Sequence, residues 1–364
     1  MYDELTYRIA LQYQEQIGNV SIKKLINAFG SATAIFQQTH KQISNKGIRR
    51  NVPSLAITPK MEAQISRELE YMQKHDIHCC FYTDAHYPKK MKNCLDSPYL
   101  FYHKGDSDFN KAKSLSIVGT RNINQYGRDV VKQLVGELAQ YNVSIVSGLA
   151  FGVDTVAHEQ ALEHNLHTIA VMGSGFSHIY PTVNHRLAER IVENRGALIT
   201  EFPYNTLPDR PNFPQRNRII AGISDATLVI ESAKKGGSII TAMIAQTYNR
   251  DVFAVPGSIF DKSYEGCHEL IRTNIAAIAF SGEHLAEMMG WNDTDKKPIQ
   301  KELFIELSED ETVIVDVIQQ QNKISIDEIT CKCSQFTPSK IASLLLGLEL
   351  KGVVSCLPGK VYQC

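Results

Sequence analysis

Apolar residues recur at helical spacing over Leu5–Ile17, Ile22–Phe29 and Lys60–His75, with Gly18 and Gly30 as breaks, so residues 1–78 predict a small helical domain. From about Ser114 the pattern changes to short apolar runs, glycine turns and amphipathic stretches. Strands are expected at Ser114–Val118, Val143–Ser147, His167–Val171, Ala197–Thr200, Ala226–Ile230 and Asp251–Ala254, with helices such as Asp129–Gln140 and Thr155–His164 between them. That alternation is the mark of an α/β core with a mostly parallel sheet, here residues 79–290. A polar stretch, residues 291–303, reads as a linker. Beyond it, Glu309–Gln319, Ser325–Lys332 and Thr337–Leu350 predict three short helices, and Val353–Tyr362, turning at Pro358-Gly359, a two-stranded wing. The order over residues 304–364 matches a winged-helix domain.

Composition narrows the picture. A chain of 364 residues that is 43% apolar can bury a sizeable core. Met1 is not followed by a basic and then an apolar run, and no segment approaches the ~18 apolar residues of a membrane span, so a cytoplasmic protein without a membrane partner is expected. The eight cysteines are scattered, which fits reduced thiols. Cys331, Cys333, Cys356 and Cys364 lack the paired spacing of a structural zinc site, and no metal is expected. A formal net charge of −1 does not advertise an extended polyanion surface, so any nucleic acid would occupy a local pocket. In the helical region, Ile17-Gly18-Asn19-Val20 followed by Lys23-Lys24 resembles a helix-hairpin-helix or sterile-alpha-motif unit, although a packing module without ligand is the plainer reading.

In an open parallel sheet, ligands sit beyond the carboxyl ends of the strands, and the turns there are rich in glycine and hydroxyl residues. Gly119-Thr120-Arg121 ends one strand; Ser147-Gly148-Leu149-Ala150-Phe151-Gly152 opens a helix, a suitable place for an anion. Phe213-Pro214-Gln215-Arg216-Asn217-Arg218 sets two guanidinium forks beside an aromatic ring, which suits phosphate clamping with base stacking, or else an ion pair between elements. Lys234-Lys235-Gly236-Gly237-Ser238, running on to Thr241, offers backbone N–H groups and charge to a phosphate. It is not the Gly-x-x-x-x-Gly-Lys loop of an ATPase. Val171-Met172-Gly173-Ser174-Gly175 lacks the third glycine of a dinucleotide fingerprint, so no cofactor is expected. Asp154, His158, Glu201 and Glu231 are the available acids and bases, and no spacing pairs them for catalysis.

Taken together, Ile117–Gly127, Ser147–His158, Thr168–Asn184, Leu198–Pro203, Phe213–Ser224 and Val229–Gly257 resemble the DprA/Smf family over about half the chain. The resemblance implies a Rossmann-like domain that binds single-stranded DNA, protects it and loads the recombinase RecA onto it during natural transformation. It implies no enzyme activity. Its DNA pocket would be lined by Arg121, Arg210, Phe213, Arg216 and Arg218 beside the Lys235–Ser238 loop. It also implies a homodimer, expected here near Leu270, Ile271 and Ile275. Phe151 stands where the family often has an arginine, and Gly175-Phe176-Ser177 replaces the more usual Gly-Leu-Asp. Residues 301–364 carry six lysines, no arginine and nine acids, a net of −3, so the winged helix is expected to contact protein rather than duplex DNA. The competing readings are a nucleotide phosphoribohydrolase, which would need a glutamate shortly after its glycine loop, and a winged-helix transcription regulator sensing a nucleotide.

Overall fold

The computed structural model describes residues 2–14, 17–44, 55–105, 108–292, 307–321, 324–351, 353–357 and 361–363. Among them, nine strands form one sheet: β1 His78–Phe81, β2 Leu100–Lys104, β3 Ser114–Val118, β4 Ser144–Ser147, β5 Thr168–Val171, β6 Ala197–Thr200, β7 Ala226–Val229, β8 Asp251–Ala254 and β9 Ala277–Ile278. Their order is β1-β2-β6-β5-β4-β3-β7-β8-β9. From β6 to β9 all pairings are parallel, while β1 and β2 run antiparallel at one end.

Side chains alternate across the pleat, so Leu115 and Ile117 of β3 enter one core and Val118 the other. Both faces are covered, and every residue of β3 is buried. The helices Gln125–Leu138 and Val153–Glu163 fill one face; Asn212–Ile223 and Gly237–Thr247 fill the other. The chain steps outward from β3 through β4, β5 and β6, then returns to the far side of β3 as β7 and β8. The strand order therefore reverses between β3 and β7, which opens a crevice at their carboxyl ends.

The N-terminal helices share a core with the antiparallel end of the sheet: Ile9, Leu25 and Ile65 pack with Phe81, Leu100 and Leu198. The helix Pro59–His75 begins where the Thr58 hydroxyl accepts the Met61 N–H and ends at Asp76, a left-handed residue with φ 54°. Lys23 does not face a phosphate. Its ammonium is turned inward, donating to the Leu95 carbonyl at 2.8 Å and the Ser97 hydroxyl at 2.9 Å.

Three strands escaped the sequence pattern. β1, β2 and β9 are short, and His78, His103 and Lys104 interrupt their apolar runs. The helix expected from Asp129 begins earlier, at Gln125, because the Asn124 side chain accepts the Gly127 N–H. The dimer surface expected at Leu270 is corrected: Leu270 is buried in the core with Ile220 and Ala254, and Ile271 and Ile275 lean on that same core.

The chain divides into two units, Met1–Thr294 and Asp295–Cys364. Most of the expected linker, residues 293–303, lies outside the described residues, as does the turn Pro358-Gly359. The second unit has helices Glu309–Gln319, Ile326–Lys332 and Pro338–Leu350, and strands β10 Ile324–Ser325, β11 Ser355–Leu357 and β12 Val361–Gln363 in the order β10-β12-β11. Ile314, Ile329, Ile341 and Leu345 form its core, and this is a winged helix. Lys340, the one basic residue within Pro338–Leu350, is paired with Asp310 at 2.6 Å.

Candidate nucleic-acid interface

A cavity of about 310 Å³ occupies the crevice beyond β3 and β7. Its walls come from every turn that reaches that edge: Gly119, Thr120 and Arg121 after β3, Ala150 and Asp154 after β4, and Ser232, Gly236, Gly237 and Ser238 after β7. Phe213, Arg216 and Asn217 close it from the first turns of the helix Asn212–Ile223, with Thr241 behind.

Glycines make room for this convergence. A Cβ on Gly119 would meet Val153, and one on Gly173 would fall 2.9 Å from the Phe213 ring. The helix Gly237–Thr247 has no side-chain cap at Gly236, so its positive end opens toward the cavity. Gly152, with φ 76°, turns the chain into the helix Val153–Glu163 in a conformation that glycine adopts without strain. The Asn184 amide pins the same turn by donating to the Leu149 carbonyl at 2.8 Å and the Thr155 hydroxyl at 2.9 Å.

Arg121 and Arg216 are unlike in setting. Arg121 is exposed and pairs with no carboxylate among the described residues, and its guanidinium carbon lies 5.1 Å from the centre of the Phe213 ring. Arg216 is buried, 5.9 Å from the same ring, and donates to the carbonyls of Gly148 and Val171. Burial lowers its guanidinium to about 10, against the pull of Asp154, so the charge survives at neutral pH. Burial also pushes the Asp154 carboxyl up, with Arg216 and the Ala150 N–H holding it down. The result is a positive pocket with one aromatic wall, a fixed cation beneath and a movable cation at the mouth. Such a pocket can hold a phosphate against N–H groups and guanidinium while a base lies on Phe213.

A family model described as DNA recombination-mediator protein A matches residues 78–290, and another described as the DprA winged helix domain matches 304–360. The chain belongs to the DNA recombination-mediator protein A family. DNA processing protein DprA of Bacillus subtilis is 38% identical over 225 residues, which is 62% of this chain and 75% of that one. Protein Smf of Escherichia coli is 32% identical over 309 residues, 81% of this chain and 79% of that one. The X-ray structure of DprA from Streptococcus pneumoniae superposes with a TM-score of 0.65 at 30% identity, covering 78% of this chain and 97% of that one. A structure of DNA processing protein A from Helicobacter pylori, described by its single-stranded DNA binding mode, superposes with a TM-score of 0.53 at 28% identity, covering 58% of this chain and 95% of that one.

Within this DprA-family core, the residues named from sequence divide. The cavity gathers Gly119, Arg121, Phe213, Arg216, Asn217, Gly236, Gly237, Ser238 and Thr241, and Gly148 lies beneath it against Arg216. Phe151, Arg210, Lys234 and Lys235 are exposed and do not line it. Arg218 is the correction. Its side chain turns away from the cavity into a buried ion pair with Glu201, whose carboxyl burial pushes up against the pull of Arg218. The helix period explains this, because residues two apart point to different sides.

The remaining acids and bases are committed to structure. His158 is fully buried on Thr168, and burial lowers it to about 3. The Glu231 carboxylate accepts the Asn124 N–H at 3.1 Å, and its own carbonyl accepts the Thr120 N–H at 2.8 Å, which braces the loop carrying Arg121. Sequence reasoning passed over Thr120, Ser232 and Asn184, since hydroxyl and amide residues in turns carry no distinguishing pattern. Cys80, Asp84 and His86 bring possible metal ligands within 4.8 Å of one another. Asp84, however, already pairs with Arg8 at 3.2 Å and accepts the Phe81 N–H at 2.8 Å, and burial pushes the Cys80 thiol up, so this group reads as a braced turn. No described helix is long and apolar enough to cross a membrane.

Proposed function

We propose that the chain binds single-stranded DNA in the crevice between β3 and β7, protects it and hands it to RecA recombinase in the cytoplasm during natural transformation, without chemistry on the strand. The observation that carries this reading is the pair of guanidinium groups of Arg121 and Arg216 about one Phe213 ring, at the open end of an uncapped helix. Duplex DNA hides its base faces, whereas a single strand can offer a base to Phe213 and its phosphate to Arg121. The Helicobacter pylori relative, described by its single-stranded DNA binding mode, supports the same reading. A homodimer would set two such pockets on one particle and raise affinity for long strands. Its surface is proposed at the open edge strand β9, where Phe280 and Met288 are exposed, in place of the buried Leu270.

The test is fluorescence anisotropy of labelled oligo-dT and of a matched duplex, over a salt series, with the intact protein and its Arg121→Ala and Phe213→Ala variants. Single-strand binding should dominate and weaken with salt at about 0.7 counterion per phosphate held. Both variants should lose it. Absence of binding at low salt, or equal affinity for duplex, overturns the proposal; RecA assembly on strands pre-coated with a single-strand-binding protein tests the delivery step.

A further inference from the structure

Beyond β8 the chain makes a tight loop before the helix Glu265–Arg272, and at its tip Ile259 is 80% and Phe260 90% exposed. Two large apolar side chains in water, side by side on a braced turn, mark a contact surface. The brace is explicit. The Phe260 N–H donates to the Ser258 hydroxyl at 3.3 Å, the Asp261 N–H to the Ser258 carbonyl at 3.0 Å, and the Asp261 carboxylate accepts the Ser263 N–H at 2.9 Å. A Cβ on Gly257 would run into the Tyr264 ring, so the turn is shaped by packing and presents its tip in a defined place.

Both ends of this loop are fastened to the walls of the DNA pocket. Upstream, the Pro256 carbonyl accepts the Tyr126 hydroxyl at 3.0 Å, and Tyr126 stands in the first turn of the helix that follows the Arg121 loop. Downstream, the Gly266 N–H donates to the carbonyl of Ser232, a wall residue, at 2.8 Å. Because β8 is the parallel neighbour of β7, the loop after β8 lies one strand spacing, ~4.8 Å, along the same edge from the Lys234–Ser238 loop. Between the pocket and Phe260 the surface carries the exposed Lys234 and Lys235, and Lys262 follows the tip.

We propose that Phe260, supported by Ile259, is a second stacking platform for single-stranded DNA, taking a base of the strand that leaves the pocket across the Lys234–Lys235 loop. The inference rests on the single-strand reading of the pocket and extends it along the sheet edge. An aromatic ring beyond a row of cations is the arrangement that sequence-tolerant strand binders use, because every base has a face to stack and every nucleotide a phosphate to neutralise.

The experiment compares labelled oligo-dT of about four and about fifteen nucleotides, the range of one such binding site. Phe260→Ala should leave the short strand unaffected and weaken the long one about ten-fold, with an unchanged salt slope, because stacking releases no counterion. Phe260→Trp should restore the long strand, and Lys234→Ala/Lys235→Ala should lower the salt slope. Phe260→Ala binding both lengths like the parent, while Arg121→Ala loses both, would overturn the platform and leave the pocket standing. A Phe260→Ala protein that instead loses self-association in sedimentation, with unchanged DNA affinity, would show that a second copy covers this face, and that too overturns the proposal. Loss of neither length in Arg121→Ala would instead sink the pocket reading itself.

Discussion

The Gly148 carbonyl accepts a hydrogen bond from the Arg216 guanidinium, and the bare Cα of Gly148 is what admits it: a Cβ there would fall 2.5 Å from Arg216 Nη1 and 2.6 Å from the Asp154 carboxylate. Arg216 thus holds the turn after β4 to the end of β5, through Val171, while lying under the ligand cavity. Gly148→Ala should therefore displace the guanidinium and weaken single-strand binding as well as folding. Arg216→Ala should lower the melting temperature sharply, since it strips Asp154 of its cation in a buried site, a change of roughly 3–5 kcal/mol. Thermal unfolding alongside anisotropy checks both; an Arg216→Ala protein as stable as the parent would refute this role.

Arg121 and Arg218 should separate cleanly. Arg121 is exposed, so Arg121→Ala should keep the parental melting temperature within about 0.5 kcal/mol of stability while losing DNA affinity and salt slope. Arg218→Ala leaves Glu201 buried without its partner and should destabilise the fold at neutral pH. Replacing both partners with apolar residues of similar volume should recover much of that loss without restoring any DNA contact. Equal effects of Arg121→Ala and Arg218→Ala on stability would contradict the different placements.

Glu68 gives the fold a pH dependence. Its carboxyl accepts the Tyr13 hydroxyl at 3.1 Å and the Tyr204 N–H at 2.9 Å, tying the N-terminal helices to the loop after β6. Burial raises it from 4.5 to about 7. A carboxyl raised on folding binds its proton more tightly in the native state, so its contribution is complete below pH 4.5 and is lost as pH rises through about 7. The melting temperature should fall across that window by the equivalent of roughly 1–3 kcal/mol, and Glu68→Gln should flatten the profile. A parent profile as flat as the variant's would rule the linkage out.

The winged helix should not hold duplex DNA. Lys340 is paired with Asp310, and residues 301–364 carry a net of −3, so the helix that would enter a major groove presents no free cationic row. The unit Asp295–Cys364, expressed alone, should show no duplex binding at physiological salt; tight binding there would refute its assignment to protein contacts.

The alternation of apolar runs and glycine turns made β3 to β8 legible, because a strand buried on both faces must be apolar throughout and each crossover must break the run. The ligand-bearing turns at Gly119, Gly148 and Gly236 were legible for the same reason: they follow those strands. Phe213 and Arg216 could be singled out as a ring beside a guanidinium, one face of a helix start. What no local pattern contained was the strand order. Only the tertiary packing set β3 against β7, and so decided that the turn with Arg121 and the loop with Ser238 share one cavity, since neighbours in a sheet are chosen by long-range pairing. The same packing turned Arg218 onto Glu201, buried Leu270 in the core and left Phe260 in water, because burial is a property of what the rest of the chain brings alongside a residue and not of the residue itself.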